Sequence, residues 1–239
     1  MTFAVAVLSA LFVFAANADG KPEEDRWLDT LDAREAYFES SVGPLPKGIL
    51  RIPGTQETWP GGGLLTIPAP RLGTPVTGTD MAVYTTSGFT NSDMPTHSHR
   101  VGFKPGPDEN PAAGYGYELM VVAQQNTDWP LSLLQWAVNE ELVNDIGLLD
   151  KVEKHGGFTL EQIDVGKSRR INILISKALS PMPTGTQLPA GKMEVLVATA
   201  ITADEMRWSK DNGAGPLLQK LNDAGVGQVS KLGRGSVVR

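Results

Sequence analysis

The chain has 239 residues, 41% of them hydrophobic and 20% charged, so it is long enough to bury a core and far from a disordered composition. Its formal charge is −6, from 21 basic and 27 acidic residues, which leaves no basic excess to neutralise phosphates and excludes nucleic acid as an expected partner. Cysteine is absent, which excludes disulfides, thiolate metal sites, iron–sulfur clusters and cysteine nucleophiles.

In chain order, residues 3–16 form an unbroken apolar run, short for a bilayer span. The small-x-small site Ala16-Asn17-Ala18 follows, and then the polar stretch Asp19-Gly20-Lys21-Pro22-Glu23-Glu24-Asp25. That order reads as a signal peptide over 1–18 and an exported, periplasmic protein. The competing reading is a buried N-terminal element in a cytoplasmic protein, since no Lys or Arg precedes the run. The expected organisation is a signal peptide (1–18), a polar lead-in with an N-terminal helix (19–45) and one α/β domain (46–239). No other stretch is apolar enough to be transmembrane.

Residues 25–41 carry Trp27, Leu28, Leu31, Tyr37 and Phe38 among acids and predict an amphipathic helix that ends before Gly43-Pro44. Short strands are predicted at 48–52 and 64–67, with Pro60-Gly61-Gly62-Gly63 as a loop. Residues 81–86 read as a strand, 87–116 as a long polar loop, and 117–123 as a strong strand. Pro130 opens a helix whose apolar face is Leu133, Leu134, Ala137, Val138 and Leu142. Residues 170–176 and 194–201 are β-branched, mostly apolar runs that suit strands buried on both faces. Thr202-Ala203-Asp204-Glu205 is a capping-box pattern that starts a helix, broken near Gly213 and followed by another over 217–224. Final short strands are predicted at 226–229 and 236–238. Helices alternating with strands give the class α/β, a single domain with a central mixed sheet flanked by helices.

The chemistry the residues could carry is thin. His97 and His99 at i and i+2 could share a cation on a strand, with Asp93, His155 or Glu118 as a third ligand. That is the basis of an alternative reading as a metal-assisted hydrolase. Against it, the ligand set is incomplete and the surroundings read as a polar loop tip. Val165-Gly166-Lys167-Ser168 ends like a phosphate loop, but Glu161 stands where the first glycine belongs, so Gly166-Lys167 reads as a turn. No Gly-x-Ser-x-Gly elbow is present. His155 lies in a turn-like segment and reads as a solvated histidine. Glu140-Glu141 and Asp204-Glu205 are sequence neighbours, which diverge on a helix and make no acid–base dyad. Trp129 and Trp136 read as core or rim.

One family resemblance runs through these elements. Met81-Ala82-Val83-Tyr84-Thr85-Thr86-Ser87-Gly88-Phe89 resembles the tyrosine-threonine-x-glycine segment of the Suppressor of Fused domain. Gly116-Tyr117-Glu118-Leu119 is similar to its glycine-aromatic-glutamate-leucine strand, and Trp129-Pro130 with Leu133-Leu134-Gln135 to its helix start. Ile173-Leu174, Pro189, Gly191 and residues 195–201 resemble its hairpin; Thr202, Glu205, Leu217-Leu218 and Arg234-Gly235-Ser236-Val237-Val238 resemble its end. The likeness covers roughly residues 30–239. It implies one α/β domain that binds another protein. In animals the full-length relative sequesters Gli transcription factors with the help of a second domain; stand-alone members are mostly bacterial and many look like immunity proteins. Ala137-Val138-Asn139-Glu140 departs from the animal pattern, so Gli-binding residues do not carry over.

These readings converge on a non-enzymatic binding module of immunity type that neutralises a partner toxin. No catalytic residue, cofactor or metal is assigned. The expected partner contacts are Asp93, His97, His99 and Arg100 in the loop, with Glu140, Glu141 and Asp145 at the helix end. An acidic protein gains on-rate against a basic toxin. An exported, envelope-associated structural protein is the remaining alternative.

Overall fold

The computed structural model describes residues 23–69, 72, 81–94 and 111–238. The apolar run at the N-terminus and His97, His99 and Arg100 lie outside the described residues. Among the described residues eight strands form one mixed sheet in the order β1-β2-β3-β7-β5-β4, where β1 is Gly63–Pro68, β2 Met81–Ser87, β3 Ala112–Gln124, β4 Phe158–Asp164, β5 Arg170–Lys177 and β7 Gly191–Ile201. The remaining two, β6 (Gly185–Leu188) and β8 (Val229–Ser230), pair with β7 and β3. The β3–β7 and β3–β8 pairs are parallel and all others antiparallel, the mixed sheet that the sequence predicts.

Both central strands are buried on both faces, which explains their continuous apolar runs. On one face Leu119, Val121, Leu196, Ala198, Ile173 and Ile175 pack under α2 (Trp129–Asn144) and α3 (Leu148–His155). On the other, Met120, Val122, Val195 and Val197 meet Phe38 of α1 (Glu23–Ser41). Further along that face Leu174 and Ile201 lie under Met206 of α4 (Ala203–Asn212) and Leu217 and Leu221 of α5 (Ala214–Asp223). The result is three layers, helix–sheet–helix. Among the described residues no helix is long and apolar enough to cross a membrane.

The structure departs from the sequence reading in several places. β3 begins at Ala112, inside the stretch read as loop, because Gly114 (φ +52°) and Gly116 (φ +84°) accommodate a register shift between Ala112 and Tyr117 that hides the alternation. α3 and β4 were not anticipated. α3 has eight residues between left-handed Gly147 and Gly156, too short for a clear period, and His155 is its last residue rather than part of a turn. β4 is a half-exposed edge strand with a bulge between Leu160 and Ile163, where Gln162 has φ +58°. The strand predicted at 48–52 is a single bridge from Leu50 to Leu64, and 236–238 forms none. The helix expected from 217 starts at Ala214, with Pro216 in its first turn.

Candidate functional site

A buried polar cluster sits where α1, the end of β2 and β3 meet. Glu118 interrupts the apolar run of β3 and is fully buried. Its Oε2 accepts from the Thr86 hydroxyl at 2.6 Å. Its Oε1 accepts from the Gly88 N–H at 3.0 Å, the Thr90 N–H at 3.0 Å and the Thr90 hydroxyl at 2.7 Å. Two backbone N–H groups and two hydroxyls therefore surround one carboxylate, the kind of nest that backbone donors make for an anion. Thr86 Oγ1 in turn accepts from the Leu119 N–H at 2.9 Å, which closes the ring back onto β3.

Arg34 supplies the opposing charge. The buried stripe of α1 runs Thr30, Arg34, Phe38 at a spacing of four, so a guanidinium occupies a position that helical periodicity assigns to an apolar side chain. Its Nε donates to Ser87 Oγ at 3.3 Å and its Nη1 to Thr90 Oγ1 at 3.1 Å and Asn91 Oδ1 at 2.8 Å. Nη1 lies 3.8 Å from Glu118 Oε1, and both side chains are fully enclosed. Burial pulls the Arg34 pKa below its ordinary value, opposed first by Glu118 and then by Glu35 and Asp93. An arginine remains a cation under that pull.

The cluster pins the segment after β2. Asn91 Nδ2 donates to the Pro60 carbonyl at 2.9 Å and fixes the loop against the glycine turn. Trp27 Nε1 donates to Asp93 Oδ1 at 3.2 Å and ties the same loop to α1. Phe89 packs its ring within 5.0 Å of Trp59, 5.5 Å of Tyr115 and 5.3 Å of Tyr117, centroid to centroid. The residues up to Met94 are therefore braced on a polar and an aromatic side.

The remaining candidate residues fall elsewhere. Glu141 is fully buried and accepts from the Leu148 N–H at 3.2 Å, so it joins α2 to α3 and presents no surface to a partner. The reason is its position on the apolar side of α2, beside Ala137 and Val138. Glu140 is half-buried and accepts from Asn144 Nδ2 at 2.9 Å. Asp145 is exposed and closes α2 in the left-handed region at φ +48°. Of the third-ligand candidates, Glu118 is committed to its four donors. His155 ends α3, on the opposite sheet face from α1. Among the described residues no three His, Asp or Glu side chains converge as a metal site. Trp129 is core and Trp136 rim, as read from the sequence. Lys167 and Ser168 have positive φ and form the β4–β5 turn, also as read.

A second buried ion pair holds the C-terminal segment. Arg234 Nη1 and Nη2 donate to Glu205 Oε1 and Oε2 at 2.6 and 2.7 Å, and the Val237 N–H adds a bond to Oε1 at 2.9 Å. Among the described residues one cleft of about 220 Å³ opens between residues 50–53 and the start of α2, and another of about 410 Å³ runs along β6 and β7. Neither is lined by a histidine. Sequence reasoning passed over Arg34 and met Arg234 only inside the family resemblance, with no partner assigned; the signal for Arg34 was a lone charge on the buried stripe of an amphipathic helix.

The family described as Suppressor of fused protein (SUFU) matches residues 65–235. The solved structure titled "the Sufu-Fu complex crystal structure" is similar in fold, with a TM-score of 0.58, 15% identity, and coverage of 89% of this chain and 92% of that one. The crystal structure of Drosophila Suppressor of Fused aligns with a TM-score of 0.55 and 14% identity over 89% of this chain, which spans 51% of that longer protein. Among curated proteins none matches. The matched span contains Thr86, Gly88, Thr90 and Glu118, so the carboxylate cluster joins two of the segments that carried the resemblance, 81–89 and 116–119. This chain belongs to the Suppressor of fused protein family.

Proposed function

We propose that this chain is a non-enzymatic protein-binding module and that it neutralises a toxin as an immunity-type protein. The observation that carries the reading is family membership, together with a similar solved structure whose title names a complex of Sufu with Fu. The internal chemistry supports it. The buried carboxylates of Glu118 and Glu205 are each held by several donors that join separate elements, so they brace the fold. Asp93, Glu140 and Asp145 remain the contact candidates, together with His97, His99 and Arg100. A net charge of −6 draws in a cationic partner and speeds its encounter. Residues 1–18 act, in this reading, as an export signal.

The test is expression of each small secreted protein encoded beside this gene, with and without the chain. The expected result is restored growth together with a stable one-to-one complex on gel filtration. Growth arrest that the chain never relieves, or turnover of a small molecule by the purified chain, contradicts the reading. N-terminal sequencing of exported material tests the signal, with Asp19 as the expected first residue.

A further inference from the structure

We propose that the outward face of α2 is the docking surface, and that the partner meets it with a cationic segment carrying an apolar side chain. The inference rests on the protein-binding reading and names the surface it uses. Val143 is 77% exposed, the most exposed large hydrophobic side chain among the described residues. Trp136 lies seven residues earlier on the same helical stripe, half-buried against the core. Glu140 falls between them, four residues after Trp136, and Asp145 closes the helix just beyond. The stripe therefore reads tryptophan, carboxylate, valine, and the Asp145 carboxylate stands at the helix C-cap beyond it.

Charge decides the kind of occupant. The sixteen residues of α2 include no lysine or arginine, and its last turn has none to complement the helix dipole. Helix ends favour cations there, so carboxylates at the end of α2 work against the helix and leave a negative pole facing outward. The Lys151 ammonium lies past that end and is bonded to the Ile146 carbonyl. A half-exposed tryptophan beside an exposed aliphatic group is the anchor type that dominates protein interfaces, and an acidic rim selects a basic partner. A second copy of this chain is a poor occupant, because each would bring the same carboxylates and a charge of −6.

The test uses the ¹⁵N-labelled full chain titrated with a synthetic amphipathic lysine–leucine peptide and with its glutamate–leucine counterpart. The expected result is amide shifts concentrated on residues 136–145 with the lysine peptide and none with the glutamate peptide. Val143→Lys with Glu140→Lys is expected to weaken binding by about tenfold or more, with an unchanged circular dichroism spectrum. Val143→Lys alone, at an exposed site, guards against a folding effect. Shifts centred elsewhere, equal binding by the variants, or self-association through this face overturn the proposal. Once a toxin partner is in hand, its capture by the double variant at full affinity removes this surface and leaves the protein-binding reading intact. Failure of the unmodified chain to hold any partner removes that reading instead.

Discussion

Arg34 and Glu118 stand 3.8 Å apart inside the protein, with the Thr90 hydroxyl donating to the carboxylate and accepting from the guanidinium. The pair is lopsided. Glu118 has four further donors, two of them backbone N–H groups, whereas Arg34 meets neutral oxygens apart from Glu118. Its Nη2 has no partner among the described residues. Removal of either partner is therefore not equivalent.

Glu118→Gln leaves a buried guanidinium without its counter-charge and turns one acceptor toward the Thr86, Gly88 and Thr90 donors into an amide. The expected loss is about 3–5 kcal/mol, the range for breaking a buried pair from one side. Arg34→Met leaves a carboxylate that keeps its four donors, so a smaller loss is expected, about 2 kcal/mol. Denaturant unfolding of both variants and of the double variant measures this. Equal losses, or an Arg34→Met loss larger than that of Glu118→Gln, would show that the nest does not stabilise the carboxylate.

Gly114 is the second element that holds the loop in place. At φ +52° it sits so close to the loop that a Cβ would come within 2.4 Å of the Phe89 carbonyl and 2.8 Å of that of Asn91. Gly114→Ala is therefore expected to cost about 2 kcal/mol or more from strain and displaced backbone. It should also raise hydrogen exchange at Tyr115, whose N–H donates to the Phe89 carbonyl at 2.8 Å. A Gly114→Ala protein with unchanged midpoint and protection shows that the loop yields freely.

The layered α/β class, the central strands and both elements around Thr202 were legible in the sequence because their signals are local. Runs such as 171–175 are mostly apolar and β-branched, and a capping box is complete within four residues. α3 and β4 were not legible: one has eight residues and the other a bulge that breaks the period of two. Glu141 was misplaced because adjacent acids at a helix end look solvated, whereas the second faces the apolar side and caps the next helix. Arg34, Ser87, Thr90 and Glu118 are brought together from α1, β2 and the segment after it, and β3, and no spacing within one segment announces that meeting. The family resemblance pointed at Thr86, Gly88 and Glu118 without giving the reason they belong together.

Thr202 closes α4 in the way the sequence pattern predicts, with its hydroxyl accepting from the Glu205 N–H at 3.2 Å and its own N–H donating to Glu205 Oε2 at 2.9 Å. Thr202→Ala is expected to lose about 1 kcal/mol, and Thr202→Ser much less, since serine keeps the acceptor. Thermal or denaturant midpoints compare the two. A Thr202→Ser loss as large as that of alanine assigns the effect to the methyl group rather than the cap.

Glu205 also makes stability depend on pH. Burial alone pushes its carboxyl up, but the Arg234 guanidinium and the Thr202 and Val237 N–H groups outweigh it and hold the pKa below the ordinary value. A carboxyl depressed in the folded state contributes fully above its unfolded value of about 4.3, and that contribution is lost as pH falls through the folded value. Stability should therefore be flat in this respect near neutrality and fall below about pH 4. Arg234→Met removes the main cause of the depression and leaves burial dominant, so the variant should lose stability at neutral pH and show a shallower fall on acidification. Denaturant midpoints for both proteins between neutral and acid pH decide it. Parallel curves would mean that Glu205 does not titrate against Arg234, and that the C-terminal segment is held by its other bonds.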